Sequence, residues 1–204
     1  MSHPSAPHLV PLPDPTPWRL FVAHTLPSAV RGRLWVQLAP YRVRHPAVRW
    51  LEPETWHLTL LFLGSVPVGR VPALVSLVDD VAAQSPPVRV TIKAGGGRLR
   101  RQDAVAWLTF AGGADRIVAL ATLLATACPD GITTGPPPRR TPAAHLTVAR
   151  HADRALLDDL TAQRYGPLRA TWSVDRVALV RSHLAPSGAH YETQHEAALY
   201  AAAT

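Results

Sequence analysis

Two segments of the chain repeat one short pattern, His-Leu-Thr followed by an aliphatic residue. They are WHLTLLFLG at 56–64 and AHLTVAR at 144–150, and their histidines, His57 and His145, lie 145 − 57 = 88 positions apart. With ten histidines among 204 residues, roughly one His-x-Thr is expected by chance, so the second copy is the informative one. A pattern repeated at this distance indicates two structurally related halves.

Both copies lie in segments rich in aliphatic and β-branched residues, which favour β-strands. Side chains alternate between the two faces of a strand, so His57 and Thr59 are expected on one face. Leu58, Leu60 and Phe62 are then expected on the other face, anchoring the strand in the core. The second copy has the same alternation, and two such polar faces could line a cleft between two lobes.

The remaining sequence predicts strands alternating with helices from residue 18 onward. Apolar runs predict strands over 19–24, 55–64, 88–94, 104–110, 144–150, 170–182 and 189–199. Helical spacing predicts helices after Ser28 as N-cap and over 70–84, 114–127 and 153–163. The glycine run Gly95–Gly97 predicts a turn between two strands. We expect one bilobal domain over 18–204, preceded by a proline-rich, disordered tail over 1–17.

The composition is that of a globular protein, with 47% hydrophobic and 17% charged residues. No apolar run approaches eighteen residues, and the first residues carry neither a basic nor an apolar signal region. We therefore expect a soluble, cytoplasmic protein without a membrane partner, and a monomer. The single cysteine, Cys128, excludes an internal disulfide and has no neighbours at zinc-ligand spacing.

The formal net charge of +7 suggests an anionic partner such as nucleic acid or a phosphate ester. Lys93 is the single lysine, and every other basic residue is arginine. This bias fits two explanations, because arginine suits bidentate phosphate contacts but can also follow from coding composition. The charge alone leaves both open.

Two histidines with neighbouring threonines suit proton transfer at phosphorus. Imidazole titrates near neutral pH, so one ring can take a proton while the other gives one. The hydroxyls of Thr59 and Thr147 can donate to phosphate oxygens as negative charge shifts. The two pairs therefore fit an in-line displacement that needs no metal and no other cofactor.

Two other interpretations compete with this one. The pairs could be ordinary half-buried strand residues, which is the commoner situation for a single strand histidine. They could also bind a metal ion, but His57 and His145 supply only two ligands, and neither copy contains an Asp, Glu or Cys.

These residues resemble the 2H phosphoesterase superfamily, and within it the RNA 2′,3′-cyclic phosphodiesterases, also called 2′-5′ RNA ligases or LigT-like proteins. The similarity covers nearly the whole chain from Arg19, in the order RLFVAHTLP, RWLEPETWHLTLLFLG, AHLTVAR and LVRSHLAPSGAHYE. The resemblance implies a bilobal α+β fold with pseudo-two-fold symmetry. Two antiparallel β-sheets with flanking helices would surround a central V-shaped cleft, with one H-x-T-x motif on each lobe.

The resemblance also implies an activity, the metal-independent hydrolysis of an RNA terminal 2′,3′-cyclic phosphate to a 2′-phosphate. By analogy His57 is the acid that protonates the leaving 3′ oxygen, and His145 is the base that activates water. Thr59 and Thr147 would hold the phosphate. The expected partner is RNA or a nucleotide with a 2′,3′-cyclic phosphate end. Weak, reversible 2′-5′ ligation would follow if an RNA 5′ hydroxyl replaced water.

Further residues are candidates for binding the nucleotide. Arg150 closes the second motif at a position that contacts nucleotide in relatives, and Phe21 could offer an aromatic face to a base. Arg139, in the loop ahead of the second motif, could reach RNA phosphates or be a solvated surface charge. The chain departs from the family pattern at several positions that we expect at the cleft rim, which are His24, Thr25, Thr55 and Ala144.

Three functions remain open from the sequence. The first is the RNA 2′,3′-cyclic phosphodiesterase, and the second is a non-catalytic module that holds an RNA end. The third is an enzyme of the same kind that acts on a small nucleotide, such as a cyclic phosphate of ADP-ribose or a 2′-5′ linked oligoadenylate. Trp107 and Trp172 are expected to pack the sheets.

Overall fold

A computed structural model describes residues 16–99, 104–140, 143–185 and 188–200. In chain order the elements are β1 (Trp18–Thr25), α1 (Ser28–Arg44), β2 (Arg49–Trp50), β3 (His57–Val66), α2 (Val71–Ala83), β4 (Val88–Arg98), β5 (Val105–Gly112), α3 (Ala114–Ala127), β6 (Arg139–Arg140), β7 (His145–Arg150), α4 (Arg154–Thr161), β8 (Thr171–Val174), β9 (Arg176–Ala185) and β10 (Gly188–Ala198). Short 3₁₀ turns cover Pro53–Thr55 and Val68–Arg70. Nearly all of the predicted tail over 1–17 lies outside the described residues.

The strands form two antiparallel five-stranded sheets, which confirms the expected α+β class. Sheet A has the order β10-β9-β1-β3-β6, and sheet B has the order β2-β7-β5-β4-β8. Each His-Leu-Thr strand has the same setting. β3 lies between β1 and the two-residue strand β6, and β7 lies between β5 and the two-residue strand β2. The repeat in the sequence is therefore a repeat in the topology.

One large cluster of buried apolar residues joins both sheets and all four helices of the described chain. In α2 the buried stripe follows from apolar residues at helical spacing, Leu74, Leu77, Val78 and Val81. Full burial of one such side chain contributes about 1.5–3 kcal/mol. The segment predicted as a strand over 170–182 divides at Asp175, because β8 joins sheet B while β9 joins sheet A.

The prediction that Ser28 caps α1 is wrong by one residue. Ser28 is the first residue of the helix, and Pro27 is the cap with φ −56° and ψ 142°. The Pro27 carbonyl accepts hydrogen bonds from the amides of Val30 and Arg31, each at 3.0 Å. The φ of Pro27 is compatible with a helix but its ψ of 142° is extended, so the helical conformation begins at Ser28.

The predicted turn at Gly95–Gly97 is also wrong, because these residues continue β4 and pair with β5. A Cβ atom at Gly95 would collide with Leu160, and one at Gly97 would collide with Leu157 and the Val105 carbonyl. Both leucines belong to α4, which packs against these glycines of β4. The glycines therefore serve close helix-on-sheet packing rather than chain reversal.

Phe62 lies on the opposite face from the one that simple alternation predicts. Leu60 and Leu61 are both buried, whereas the Phe62 side chain is 50% exposed. The pairing with β1 shifts register between Leu61 and Thr59, so Leu60 has no partner on β1. Such a β-bulge inserts one extra residue and reverses the alternation beyond it.

Candidate active site

The two His-Leu-Thr copies border one cavity. His57 and Thr59 on β3, and His145 and Thr147 on β7, line a cavity of 510 Å³ that residues of both sheets enclose. The leucines and valines between them are buried, so the apolar face of each strand anchors it while the polar face meets the cavity. The structure thus brings together the four residues that the sequence singled out.

Both imidazole rings are oriented by the same kind of backbone contact. His57 Nδ1 donates to the Thr55 carbonyl oxygen at 2.7 Å, and His145 Nδ1 donates to the Ala143 carbonyl oxygen at 2.8 Å. A carbonyl can only accept, so each Nδ1 carries a proton. In the neutral rings Nε2 is then the unprotonated nitrogen, available to a ligand in the cavity.

His57 is enclosed by two aromatic rings. Its centroid lies 4.9 Å from that of Phe21 and 5.1 Å from that of Tyr191, with Tyr191 packed edge-on at 81°. Burial lowers the pKa of His57 because it disfavours the charged ring. The hydrogen bond to the Thr55 carbonyl opposes this effect, whereas the positive charge of Arg150, and that of His145 when it is protonated, adds to it. In the free protein His57 is therefore poised toward its neutral form.

His145 has a different aromatic neighbour. The ring of Trp107 on β5 lies 5.4 Å away, tilted by 52°. Trp107 is the Cα partner of Thr147, so it shares the face of sheet B that meets the cavity. The two histidines thus have equivalent backbone anchors but unequal surroundings.

Two arginines form a positive wall on the sheet B side. Arg150 and Arg49 are paired across β7 and β2, and both line the cavity. The Arg49 guanidinium also lies near Gly188 at the start of β10, where an added Cβ atom would be only 2.7 Å from Arg49 Nη2. Gly188 has φ +134°, a conformation that also favours glycine. Arg49 of sheet B therefore lies close to sheet A beside the cavity, where Glu52 adds one negative charge to the lining.

Two of the predicted binding residues do not line the cavity. Phe21 is only 6% exposed and lies behind His57 and Tyr191, so it does not offer a free face to a base. Arg139 is exposed on β6, where it pairs with Phe62, and lies beside the cavity rather than in its lining. The third, Arg150, lines the cavity.

The cavity lining includes residues that sequence reasoning missed, among them Phe62, Tyr191 and Arg49. Phe62 was assigned to the core because local alternation does not reveal a bulge. Tyr191 stands in the closing segment AHYE, and nothing in its local pattern distinguishes it from other half-buried strand residues. Arg49 belongs to a two-residue strand too short for a periodic signal.

Of the residues that were expected at the cleft rim, Thr55 lines the cavity, whereas His24 does not. His24 was expected at the cleft rim, but it is 1% exposed and belongs to the core. Trp172 is buried as predicted, whereas Trp107 is not part of the buried core. His183 pairs with Glu192 on the surface.

Among the described residues, no three His, Cys, Asp or Glu side chains are grouped so that they could hold a metal ion. In that same part of the chain, no helix is both long enough and apolar enough to cross a membrane.

Comparison with known families gives a match over most of the chain. The family described as the 2′-5′ RNA ligase superfamily matches residues 30–186. An RNA 2′,3′-cyclic phosphodiesterase of Thermus thermophilus is 30% identical over 184 residues, which cover 85% of this chain and 86% of the relative. The protein of the same name from Methanothermobacter thermautotrophicus is 27% identical over 177 residues, covering 85% of this chain and 94% of the relative.

Solved structures show the same architecture. E. coli LigT complexed with 3′-AMP aligns with a TM-score of 0.70 and 27% identity, covering 90% of this chain and 98% of LigT. The protein TT0787 of Thermus thermophilus aligns with a TM-score of 0.66 and 26% identity, covering 89% of this chain and 97% of TT0787.

Proposed function

The chain belongs to the 2′-5′ RNA ligase superfamily and is an enzyme of the RNA 2′,3′-cyclic phosphodiesterase class. From this premise we propose that His57 and His145 hydrolyse an RNA terminal 2′,3′-cyclic phosphate to a 2′-phosphate without a metal ion. One observation carries the proposal. Two His/Thr pairs line a single cavity, and each ring is anchored through Nδ1 to a backbone carbonyl, which leaves both Nε2 atoms for the substrate.

The proposed reaction is an in-line displacement at phosphorus. Nε2 of His145 takes a proton from water, whose oxygen forms a bond to phosphorus. The bond from phosphorus to the ribose 3′ oxygen breaks, and Nε2 of His57 donates a proton to that oxygen. The phosphate stays on the 2′ oxygen, so the product is a 2′-phosphate.

The remaining polar groups of the cavity stabilise negative charge. The hydroxyls of Thr59 and Thr147 donate to the two non-bridging phosphate oxygens, one from each sheet. Arg150 adds a positive charge on the His145 side and binds the nucleotide rather than transferring a proton. A cavity of 510 Å³ is within the range that accommodates a nucleotide-sized ligand.

The acid role of His57 requires a protonated ring, although burial lowers its pKa in the free protein. A bound phosphate anion reverses part of this effect, because a nearby negative charge favours the charged imidazole. Substrate binding thus prepares His57 to donate.

Ligation would follow the same course. A 5′ hydroxyl of a second RNA would replace water, giving its proton to His145 and joining phosphorus, so that a 2′-5′ phosphodiester would form. Water is far more abundant, so ligation would be the minor reaction.

The decisive experiment is product analysis on nucleoside 2′,3′-cyclic phosphates, with and without a strong chelator. We expect 2′-phosphates at equal rates in both conditions, since acid, base and charge stabilisation come from side chains. Loss of turnover on chelation, restored by zinc or manganese, would contradict the metal-free mechanism. Binding without turnover would identify a module that only holds RNA ends. A much higher kcat/KM for a cyclic phosphate of ADP-ribose or a 2′-5′ oligoadenylate than for the nucleoside 2′,3′-cyclic phosphates would identify small nucleotides as the substrates.

A further inference from the structure

Trp107 has the surroundings of a ligand-binding side chain rather than a core residue. It belongs to neither of the two clusters of buried apolar residues in the described chain, and it is not among the residues packed against them. Its ring is partly exposed, and no described residue accepts a hydrogen bond from its Nε1. A partly exposed indole beside His145 leaves an aromatic surface next to the site.

The aromatic residue beside His57 on sheet A has a different environment. Phe21 lies beside His57 on β1 as Trp107 lies beside His145 on β5. Phe21 pairs with Val180 on β9 and is covered by Tyr191, so it is buried. On sheet B the corresponding neighbour is a glycine, Gly96 on β4, which has no side chain to cover the ring.

Gly96 lies directly beside the indole. A Cβ atom there would lie 3.4 Å from Trp107 Nε1 and 3.6 Å from Cγ2 of Thr109, ordinary contact distances. The packing of α4 therefore accounts for Gly95 and Gly97 but not for Gly96. We name the surface formed by Trp107, Gly96 and Thr109 the Trp107 shelf.

We propose that the Trp107 shelf is a second nucleoside subsite, which stacks the base of the nucleoside whose 5′ hydroxyl attacks the cyclic phosphate. The inference rests on the proposed function. In that mechanism His145 faces the attacking oxygen and His57 faces the leaving 3′ oxygen. A nucleoside bound beside His145 is therefore on the nucleophile side. Aromatic rings on a sheet surface stack nucleobases without requiring a particular base.

Charge near the shelf suits a nucleic acid chain. Alternation along β4 places exposed Arg98, two residues beyond Gly96, on the same face of sheet B. An arginine there can contact the phosphate that follows the stacked nucleoside. The shelf would thus bind the 5′-terminal part of an RNA for ligation. In the reverse direction it would bind the nucleoside that leaves when a 2′-5′ linkage is cleaved.

The reverse reaction offers the cleaner assay. In a 2′-5′ linked dinucleoside monophosphate, the 3′ hydroxyl attacks phosphorus and the bond to the 5′ oxygen breaks. His57 accepts the proton of the 3′ hydroxyl, and His145 donates one to the 5′ oxygen. The products are a 2′,3′-cyclic phosphate and a free nucleoside, and no co-reactant is needed.

The test compares kcat/KM for this cleavage with kcat/KM for hydrolysis of a nucleoside 2′,3′-cyclic phosphate. Trp107→Ala should lower the first by about tenfold more than the second, the effect of losing one stacking partner. Gly96→Val should do the same, because its side chain would cover the ring as Val180 covers Phe21, and the backbone there accepts a Cβ atom. Trp107→Phe should leave the ratio of the two kcat/KM values close to that of the wild type. Trp18→Phe, a tryptophan change at the far end of β1, is the matched control and should not alter it.

A binding measurement separates this inference from the proposed function. In a His57→Ala background, Trp107→Ala should weaken the 2′-5′ dinucleoside monophosphate about tenfold relative to a nucleoside 2′-phosphate. Equal losses for both ligands, or equal losses in both assays, would overturn the subsite and leave Trp107 as a support for His145. Selective weakening of the dinucleoside monophosphate, together with a wild-type protein that turns over neither substrate, would retain the subsite and reject the proposed catalysis.

Discussion

The indole Nε1 of Trp172 donates a hydrogen bond to Nε2 of His24 at 3.2 Å, and this bond joins the two sheets inside the core. The other ring nitrogen of His24 donates to the Arg176 carbonyl at 2.9 Å. His24 and Trp172 are 1% and 6% exposed. Each sheet carries one His/Thr pair, so this bond bears on the relative position of the two halves of the site.

His24 predicts a pH-dependent stability. Burial lowers its pKa, against a smaller opposing effect of the Arg176 carbonyl, so the folded state binds this proton less readily than the unfolded state. Stability contributed by neutral His24 is therefore present above the unfolded pKa of about 6.5 and is lost as pH falls below it. Urea unfolding should therefore give a lower free energy of unfolding at pH 5.5 than at pH 7.5. Nearby Asp175, Arg176 and Glu196 modulate the same pKa.

Two substitutions sharpen this test. His24→Ala should cost about 2–4 kcal/mol at pH 7.5, from a cavity and an unpaired Trp172 donor. His24→Gln can keep both hydrogen bonds without titrating, so its stability should depend less on pH than that of the wild type. Some dependence should remain, because burial lowers the pKa of His57 in the same sense. Exposed His190→Gln is the control, and an equal flattening there would contradict the assignment.

His57→Ala or His145→Ala should each reduce turnover by about two to four orders of magnitude, because each removes one proton-transfer partner. The double variant should be little worse than the worse single variant, since the concerted route is already lost. Single-turnover rates on a nucleoside 2′,3′-cyclic phosphate measure this. Full activity in both single variants would show that the repeated motif has only a structural role in two well-packed strands.

The roles of the two histidines can be separated with an aryl phosphodiester, whose phenolate leaves without a proton. The His57→Ala variant should recover much of its lost activity on such a substrate, and His145→Ala should not. Recovery by His145→Ala instead would reverse the assignment of acid and base.

The His57 ring should titrate below its ordinary pKa of about 6.5 in the free protein, mainly because it is buried. Adding a nucleoside 2′-phosphate should move the titration to higher pH, since the anion favours the charged ring. Imidazole ¹⁵N NMR across pH measures both, and it should also find the Nδ1–H tautomer in the neutral ring. A pKa that the ligand leaves unmoved would argue against a phosphate beside His57.

Thr59→Ala and Thr147→Ala should each cost about one to three orders of magnitude in kcat/KM, since each removes one donor to the phosphoryl oxygens. Arg150→Ala should instead raise KM more than it lowers kcat, and should reduce the salt dependence of binding. Steady-state kinetics at two salt concentrations distinguishes the two effects. A fall in kcat alone on Arg150→Ala would place that arginine in the chemical step.

Local sequence patterns determined much of the scaffold. The alternation within each His-Leu-Thr strand places histidine and threonine on one face and buried aliphatic residues on the other. The same kind of argument predicted α3 over 114–127 and the buried stripe of α2, because the period of a helix or strand is a property of the local backbone. The repeat itself predicted two related lobes.

What only the tertiary structure decided depends on partners far away in sequence. A bulge opposite β1 turns Phe62 into the cavity, and Tyr191 from β10 buries Phe21, the residue predicted to bind a base. Trp172 draws His24 into the core, whereas Gly96 leaves Trp107 uncovered. Each outcome depends on which strand lies alongside and what its side chain fills. The residues next to it in the chain do not specify that contact. Alternation therefore predicts on which face of a strand a side chain lies, but not whether another element covers it.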